Sequence, residues 1–308
     1  MRVSSNTSFE LSLAALNRQQ AAQVKNLEQI SSGKRILTPA ENPSSYVQAL
    51  KVSQADAANT QYAANRQSAA TSLSALEGTL GNVTQVIQNA QELAVYAGNG
   101  TLSDSGRAAI AIQLRGNLDE LMSLANRTDA NGQYLFSGFQ GSTKPFADMG
   151  SGVQYFGDDG QRLVQASDSR QLAVNESGRE VFERIPAAGG GYQSLFKTLS
   201  DMIDVLEAPV ATPADKTALA NGLNSAQTNL SNSLDSVLRV RSGVMNEVET
   251  LNNTGDDLGL QYKQQLSSLQ DVDYAKAISD LTQQQTYLQA TQQAFLKTQG
   301  LSLFDFIK

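Results

Sequence analysis

Residues 73–95 read LSALEGTLGNVTQVIQNAQELAV, and their apolar members recur at steps of three and four. That spacing places them on one face of an α-helix and leaves a polar opposite face. The pattern starts near Ser44 and continues to Gly98-Asn99-Gly100, with no proline between Pro43 and Pro145 to break it. The sequence therefore predicts one very long helix here.

The same periodicity predicts helices on both sides of this one, over residues 9–30, 104–126, 192–206 and 213–251, and again from residue 274. Two stretches with proline at the first helical position resemble helix starts. Thr38-Pro39-Ala40-Glu41 would begin the long helix, although Asn42-Pro43 leaves that start open by a few residues. Thr212-Pro213-Ala214-Asp215 would begin a later one.

A glycine-rich island interrupts the helical pattern, with 11 of the 23 glycines between Gly132 and Gly191. Residues 153–156 and 162–165 flank the polar sequence Gly-Asp-Asp-Gly, which indicates a β-hairpin. Residues 170–175 are a third candidate strand. We therefore expect a small β domain inserted between two helical arms.

The composition excludes several kinds of chemistry. The chain has neither cysteine nor histidine, so thiol nucleophiles, disulfides and Cys/His zinc sites are excluded. We expect no cofactor and no metal. A formal net charge of −7 argues against nucleic-acid binding. No apolar run is long enough to predict membrane insertion, and the polar start predicts no cleaved signal peptide.

The two terminal helices have weak apolar seams. Tyr274, Leu281, Leu288 and Phe295 stand at seven-residue steps, as in a coiled coil, but 11 glutamines lie between residues 261 and 308. Each glutamine in the place of a leucine forgoes roughly 1.5–3 kcal/mol of burial. We therefore expect both chain ends to be poorly ordered in the free chain and to become helical against neighbouring subunits.

Several motifs, in the same order along the chain, resemble those of the bacterial flagellin family. Four motifs carry this resemblance: residues 30–36 with 39–43, Glu92-Leu93-Ala94-Val95 with Asn99-Gly100-Thr101, residues 271–275, and Leu301-Ser302-Leu303-Phe304. Residues 131–138, 156–160 and 174–175 look more like the hook-filament junction members of that family than like flagellin itself. The resemblance covers both helical arms and most of the island.

The resemblance implies a structural component of the bacterial flagellum, exported by the flagellar type III apparatus and located outside the cell. It implies an adaptor that assembles at the distal end of the hook and on which filament flagellin builds. Its partners would be copies of itself, neighbouring hook-associated protein and flagellin subunits, and an export chaperone before secretion. Neither catalysis nor nucleic-acid binding is implied.

Together these observations predict a mainly α fold: an elongated bundle of long helices with paired terminal coiled-coil helices and a small inserted β domain, as in flagellin. We expect terminal helices over 1–40 with 262–308, a long-helix bundle over 41–140 with 192–261, and an outer β domain over 141–191. The residues predicted to mediate subunit assembly are Leu13, Leu16, Val24, Leu27, Ile30, Tyr274, Ile278, Leu281, Leu288, Phe295, Leu301, Leu303, Phe304 and Ile307.

Two alternatives stay open from the sequence. The first is flagellin proper, a filament subunit that polymerises with itself. The second is a flagellin-like protein whose outer domain carries an enzymatic insertion. The island has about 50 residues and no histidine, which makes a self-contained active site a poor prediction.

Overall fold

The computed structural model describes residues 2–150, 152–253 and 256–304; within these ranges the side chains of residues 2–6, 8, 252–253, 256–257, 295 and 298–304 are not described. The fold is mainly α, as the periodicity predicts. Its helices are α1 (Arg2–Ser32), α2 (Pro43–Ala97), α3 (Asp104–Ala125), α4 (Leu195–Glu207), α5 (Pro213–Asn253), α6 (Asp256–Gln270) and α7 (Tyr274–Phe304).

The chain divides into two compact units. Met1–Thr60 and Asp256–Lys308 form the first, and Gln61–Gly255 forms the second. The three-way division expected from the sequence stays a prediction.

The start of α5 follows the predicted capping chemistry. The Thr212 hydroxyl accepts a hydrogen bond from the Asp215 N–H at 3.2 Å, and the Asp215 carboxylate accepts one from the Thr212 N–H at 2.7 Å. This exchange satisfies backbone donors that the first helical turn leaves unpaired. The pKa of the Asp215 carboxyl is lowered, first by its interaction with the Thr212 hydroxyl and then by the backbone N–H groups of Thr212 and Ala211. The predicted helix start at Thr212-Pro213 is confirmed.

Of the two starts that the sequence left open for α2, the structure shows the one at Asn42-Pro43, and the start at residues 38–41 is wrong. The helix begins at Pro43, and Asn42 caps it by accepting a hydrogen bond from the Ser45 N–H at 3.0 Å. Glu41 belongs to a separate turn, in which its carboxylate accepts a backbone N–H at 3.0 Å. Asn42-Pro43 combines a favoured cap with a proline whose φ suits the first helical position, so the helix starts there.

In the part of the island that the structure describes, the strands form three separate two-stranded antiparallel sheets. They pair β1 (Phe146–Asp148) with β2 (Val153–Tyr155), β3 (Leu163–Ser167) with β4 (Arg170–Ala173), and β5 (Ile185–Pro186) with β6 (Tyr192–Gln193). A π-helical turn, Arg179–Glu183, lies between the last two pairs. The third candidate strand is therefore confirmed, since residues 170–173 form β4.

The hairpin predicted from residues 153–165 is wrong, because its two arms pair with other strands. The Asp158 carboxylate holds the connecting segment by accepting the Phe139 and Gly160 N–H groups, both at 2.8 Å. The Tyr155 hydroxyl adds a bond to the Asp158 carbonyl at 2.8 Å. These contacts fix the polar segment against the loop at residues 138–139, and it does not serve as a two-strand turn.

The island and the helices of the second unit share one core. Phe136, Phe146, Phe182 and Phe196 are buried, and with Tyr155 their ring centroids lie 5.0–5.7 Å apart. Such edge and tilted contacts add to the energy of burial itself. Phe196 belongs to α4 and Phe146 to β1, so the cluster fixes the island to the helices.

Candidate subunit interface

Two short extended segments bring the terminal helices of the first unit together. Lys34 and Asp271 form an antiparallel bridge, the Arg35 N–H donates to the Gln270 carbonyl at 2.6 Å, and the Val272 N–H donates to the Gly33 carbonyl at 2.9 Å. Gly33 has φ +70°, a conformation that favours glycine. The end of α1 and the beginning of α7 are thereby held side by side.

From this junction α1 and α7 run antiparallel and pack on each other. Near the junction, the Asn26 side-chain amide donates to the Ala277 carbonyl at 3.2 Å, and both residues are buried. Farther along, the Thr291 hydroxyl lies 3.5 Å from the Gln19 side-chain oxygen. Both contacts are polar, although they lie between paired helices.

The facing surfaces of the pair are rich in amides. Their buried and half-buried residues are Ser12, Ala15, Leu16, Gln19, Gln23, Asn26, Gln29 and Ile30 on α1, and Ala277, Asp280, Leu281, Gln284, Leu288 and Thr291 on α7. The Gln284 side-chain oxygen is buried, with no hydrogen-bond partner among the residues described. An unpaired buried polar atom costs about 1–3 kcal/mol.

The structure divides the predicted assembly residues into two groups. Four of them contribute to the facing surfaces, where they are half-buried: Leu16, Ile30, Leu281 and Leu288. Five others stay 46–54% exposed: Leu13, Val24, Leu27, Tyr274 and Ile278. In a single chain, the pair therefore covers amides together with four of the predicted apolar residues, while the other five face outward.

The remaining predicted assembly residues lie outside what the structure describes. For Phe295, Leu301, Leu303 and Phe304 the backbone is helical but the side chains are not described, and Ile307 lies beyond the last described residue.

The sequence reasoning missed further exposed apolar residues in the first unit. Leu11, Tyr287 and Leu296 on the terminal helices are 53–68% exposed. Val47 and Leu50 on α2, and Leu258 and Leu260 on α6, are 45–59% exposed. For Leu11, Tyr287 and Leu296, the signal that could have found them is a position outside the main three- and four-residue apolar repeat of the helix.

Metal-binding clusters and helices that could cross a membrane are two further features that would bear on function. Among them, no three or more acidic side chains are grouped so that they could hold a metal ion. Within the same ranges, none of the helices combines the length and apolar character that crossing a bilayer requires.

Comparison with known proteins agrees with this picture. Residues 3–141 match the family model for the bacterial flagellin N-terminal helical region. The chain is 39% identical to flagellar hook-associated protein 3 of Escherichia coli (strain K12) over all of both chains, and 38% identical to that of Salmonella typhimurium over 99% of both. The crystal structure of a flagellar hook-associated protein 3 from Legionella pneumophila covers 70% of this chain and 96% of its own, with a TM-score of 0.66 at 20% identity.

The long helices, the paired chain ends and the flagellin match define a structural protein of the flagellin-like class. Within that class, the chain belongs to the flagellar hook-associated protein 3 family. It is a component of the bacterial flagellum, and the resemblance stated from its motifs is confirmed.

Proposed function

We propose that this protein is the adaptor of the hook-filament junction: a structural, non-catalytic subunit that assembles at the distal end of the hook and on which filament flagellin builds. Its neighbours would be copies of itself, another hook-associated protein and flagellin. Family membership at full length supports this role over that of a self-polymerising filament subunit.

The observation that carries the proposal is the polarity of the α1–α7 pair. Asn26 and Gln284 lie inside it, while Val24 and Ile278 lie more than half exposed outside. Burying one such apolar side chain yields about 1.5–3 kcal/mol. A pair arranged in this way leaves apolar surface that neighbouring subunits can bury, which is what an assembly element requires.

The chain ends should consequently depend on the assembly for their order. A helix without tertiary support is marginal in water even when its sequence favours helix. The α1–α7 pair supplies only part of this support, because amide side chains share its inner face with the four half-buried apolar residues. Assembly would provide the missing apolar contacts and order both helices together.

Export explains why a weak pair is useful. A chain that leaves the cell unfolded through the flagellar type III apparatus must not form a stable terminal bundle beforehand. Exposed apolar side chains on the same helices would then need an export chaperone to cover them. The absence of cysteine avoids disulfide formation outside the cell.

A reconstitution experiment distinguishes the adaptor from flagellin proper. Purified full chain is added to isolated hooks, with and without flagellin. The adaptor role predicts that the chain alone binds the hook end without elongating and that flagellin then polymerises on it. Long filaments grown from this chain alone would instead identify a filament subunit.

A deletion strain provides the test inside the cell. Loss of the gene should leave intact hooks without filaments while flagellin accumulates in the medium. Filaments of normal length on such a strain would contradict the proposal.

A further inference from the structure

The chain contains three Asn-Gly pairs, at residues 99–100, 131–132 and 221–222. In such a pair the glycine backbone nitrogen can attack the asparagine side-chain carbonyl carbon, since no glycine side chain shields it. The three pairs lie in very different settings, so the fold itself should determine which one reacts.

Asn99 lies in the exposed turn between α2 and α3. Its side-chain oxygen accepts two hydrogen bonds from Thr101, one from the backbone N–H at 3.2 Å and one from the hydroxyl at 2.9 Å. The Leu102 N–H donates to the Asn99 carbonyl at 3.0 Å and closes the turn. In the part of the chain that the structure describes, the Gly100 N–H has no hydrogen-bond partner.

We propose that Asn99-Gly100 is a site of spontaneous, non-enzymatic deamidation. The Gly100 nitrogen loses its proton to solvent and forms a bond to the Asn99 side-chain carbon. Negative charge develops on the side-chain oxygen, where the two Thr101 donors are already in place to stabilise it. The amide nitrogen then takes a proton from solvent, its bond to the carbon breaks, ammonia leaves, and a cyclic imide remains. Water opens the imide to aspartate or isoaspartate.

The other two pairs are held in less reactive states. The Gly132 N–H donates to the Asp129 carbonyl at 3.0 Å, and the Asp129 carboxylate accepts the Asn131 N–H at 2.8 Å, which fixes that turn. Asn221 and Gly222 lie inside α5, where the glycine nitrogen is engaged in the helical hydrogen-bond ladder. Neither asparagine side-chain oxygen receives a hydrogen bond among the described residues.

The product would change the end of α2. A carboxylate at residue 99 places negative charge beside the carbonyl end of the helix, where the helix dipole disfavours it. Val95 and Tyr96, one turn before, are 69% and 59% exposed. The modification therefore adds negative charge next to an exposed apolar pair. The surface of a deamidated subunit then differs from that of a freshly synthesised one.

The test is a time course on the purified full chain at mildly alkaline pH, with deamidation quantified at each asparagine by peptide mass spectrometry. We expect Asn99 to convert faster than Asn131 and Asn221 in the native chain. In denaturant, where all three glycine nitrogens are free, the three rates should converge. A native chain in which Asn131 or Asn221 converts first would overturn the assignment.

Two variants test the geometry. Thr101→Val removes the hydroxyl donor and should slow conversion of Asn99 about fivefold, the effect of one hydrogen bond on a rate. Gly100→Ala should slow it further by shielding the nitrogen. Thr60→Val, an exposed threonine in α2 far along the chain, is the matched control. An unchanged or faster rate in Thr101→Val would show that the hydrogen bonds do not promote the reaction.

Discussion

Asn26 and Ala277 lie 251 positions apart in sequence, and the side-chain amide of the first donates a 3.2 Å hydrogen bond to the backbone carbonyl of the second. It is a buried polar contact where an ordinary coiled coil would place an apolar side chain. The hydrogen bond orients α1 relative to α7 but adds little to the free energy of unfolding. The cost of removing the Asn26 amide from water offsets much of the energy of the bond.

Asn26→Leu tests that balance. We expect the variant to stabilise the α1–α7 pair in the free chain by about 1 kcal/mol, since leucine gains burial and the Ala277 carbonyl keeps its helical bond. Thermal loss of helical circular dichroism in the full chain measures the change. A marked fall in stability would mean that the hydrogen bond outweighs its desolvation.

The exposed face is tested by Val24→Gln combined with Ile278→Gln. Both side chains are more than half exposed in the single chain, so unfolding should shift by no more than about 0.5 kcal/mol. Each change should nevertheless weaken assembly by about 1.5–3 kcal/mol per subunit, because glutamine replaces an apolar side chain that neighbours bury.

The measurement is retention of filaments on cells that carry the double variant, together with binding of the purified chain to hooks. Lys276→Gln, exposed on the same helix, is the control for altered polarity without loss of apolar surface. Stable, motile filaments in the double variant would refute the assignment of this face.

Gly33→Ala tests the junction between the terminal helices. Gly33 has φ +70°, and an added Cβ would lie 3.0 Å from the Tyr274 hydroxyl oxygen. We expect a cost of about 1–3 kcal/mol from the backbone conformation alone. Adding Tyr274→Phe relieves only the contact and should recover only a small part of the loss.

Thermal unfolding of the parent chain, Gly33→Ala and Gly33→Ala with Tyr274→Phe separates the cost of the backbone conformation from the cost of the Tyr274 contact. Gly78→Ala is the matched control, because nothing lies within 4 Å of an added Cβ at that helical position, and it should stabilise by about 0.5–1 kcal/mol. If Gly33→Ala were equally harmless, the turn would not depend on glycine.

Glu176 should make stability depend on pH. Burial raises the pKa of its carboxyl above 4.5, and the nearby Glu180 and Glu247 carboxylates raise it further, against a lowering hydrogen bond from Gln161. The folded chain therefore holds this proton to higher pH than the unfolded chain, and stability falls as pH rises from about 4.5 through the raised pKa.

Glu176→Gln removes this dependence and keeps an oxygen that can accept the Gln161 bond. Urea unfolding at a series of pH values measures the free energy of unfolding of both chains. That of the variant should rise relative to that of the parent chain as pH rises through that window. Glu92→Gln, exposed on α2, controls for the loss of one charge. Identical pH slopes for the parent chain and Glu176→Gln would contradict the expectation.

Most helix bounds could be predicted from the sequence, because they depend on local periodicity and capping, although α6 was not predicted as a separate helix. The third helix was expected over residues 104–126 and spans Asp104–Ala125, with Ser103 capping its start. Strand pairing could not be predicted, because it depends on distant contacts. The hydrogen bond between Asp158 and Phe139 joins residues 19 positions apart, and no turn motif in the sequence predicts it.

The sequence could predict the assembly residues as one set. It could not predict which of them lie between α1 and α7 and which are exposed. Leu281 and Ile278 are both apolar and three positions apart, yet the first is half-buried and the second is 54% exposed. Which one faces α1 depends on the rotation of α7 about its axis. That rotation depends on long-range contacts, such as the hydrogen bond from the Val272 N–H to the Gly33 carbonyl, which sequence spacing does not reveal.

Hydrogen exchange on the full chain, free in solution and assembled on hooks, measures whether the terminal helices depend on neighbouring subunits for their order. We expect the amides of residues 9–30 and 274–297 to exchange rapidly in the free chain and to become strongly protected on assembly, while the buried part of α2 stays protected in both. Slow exchange of both terminal segments in the free chain would contradict the claim that their order depends on neighbouring subunits.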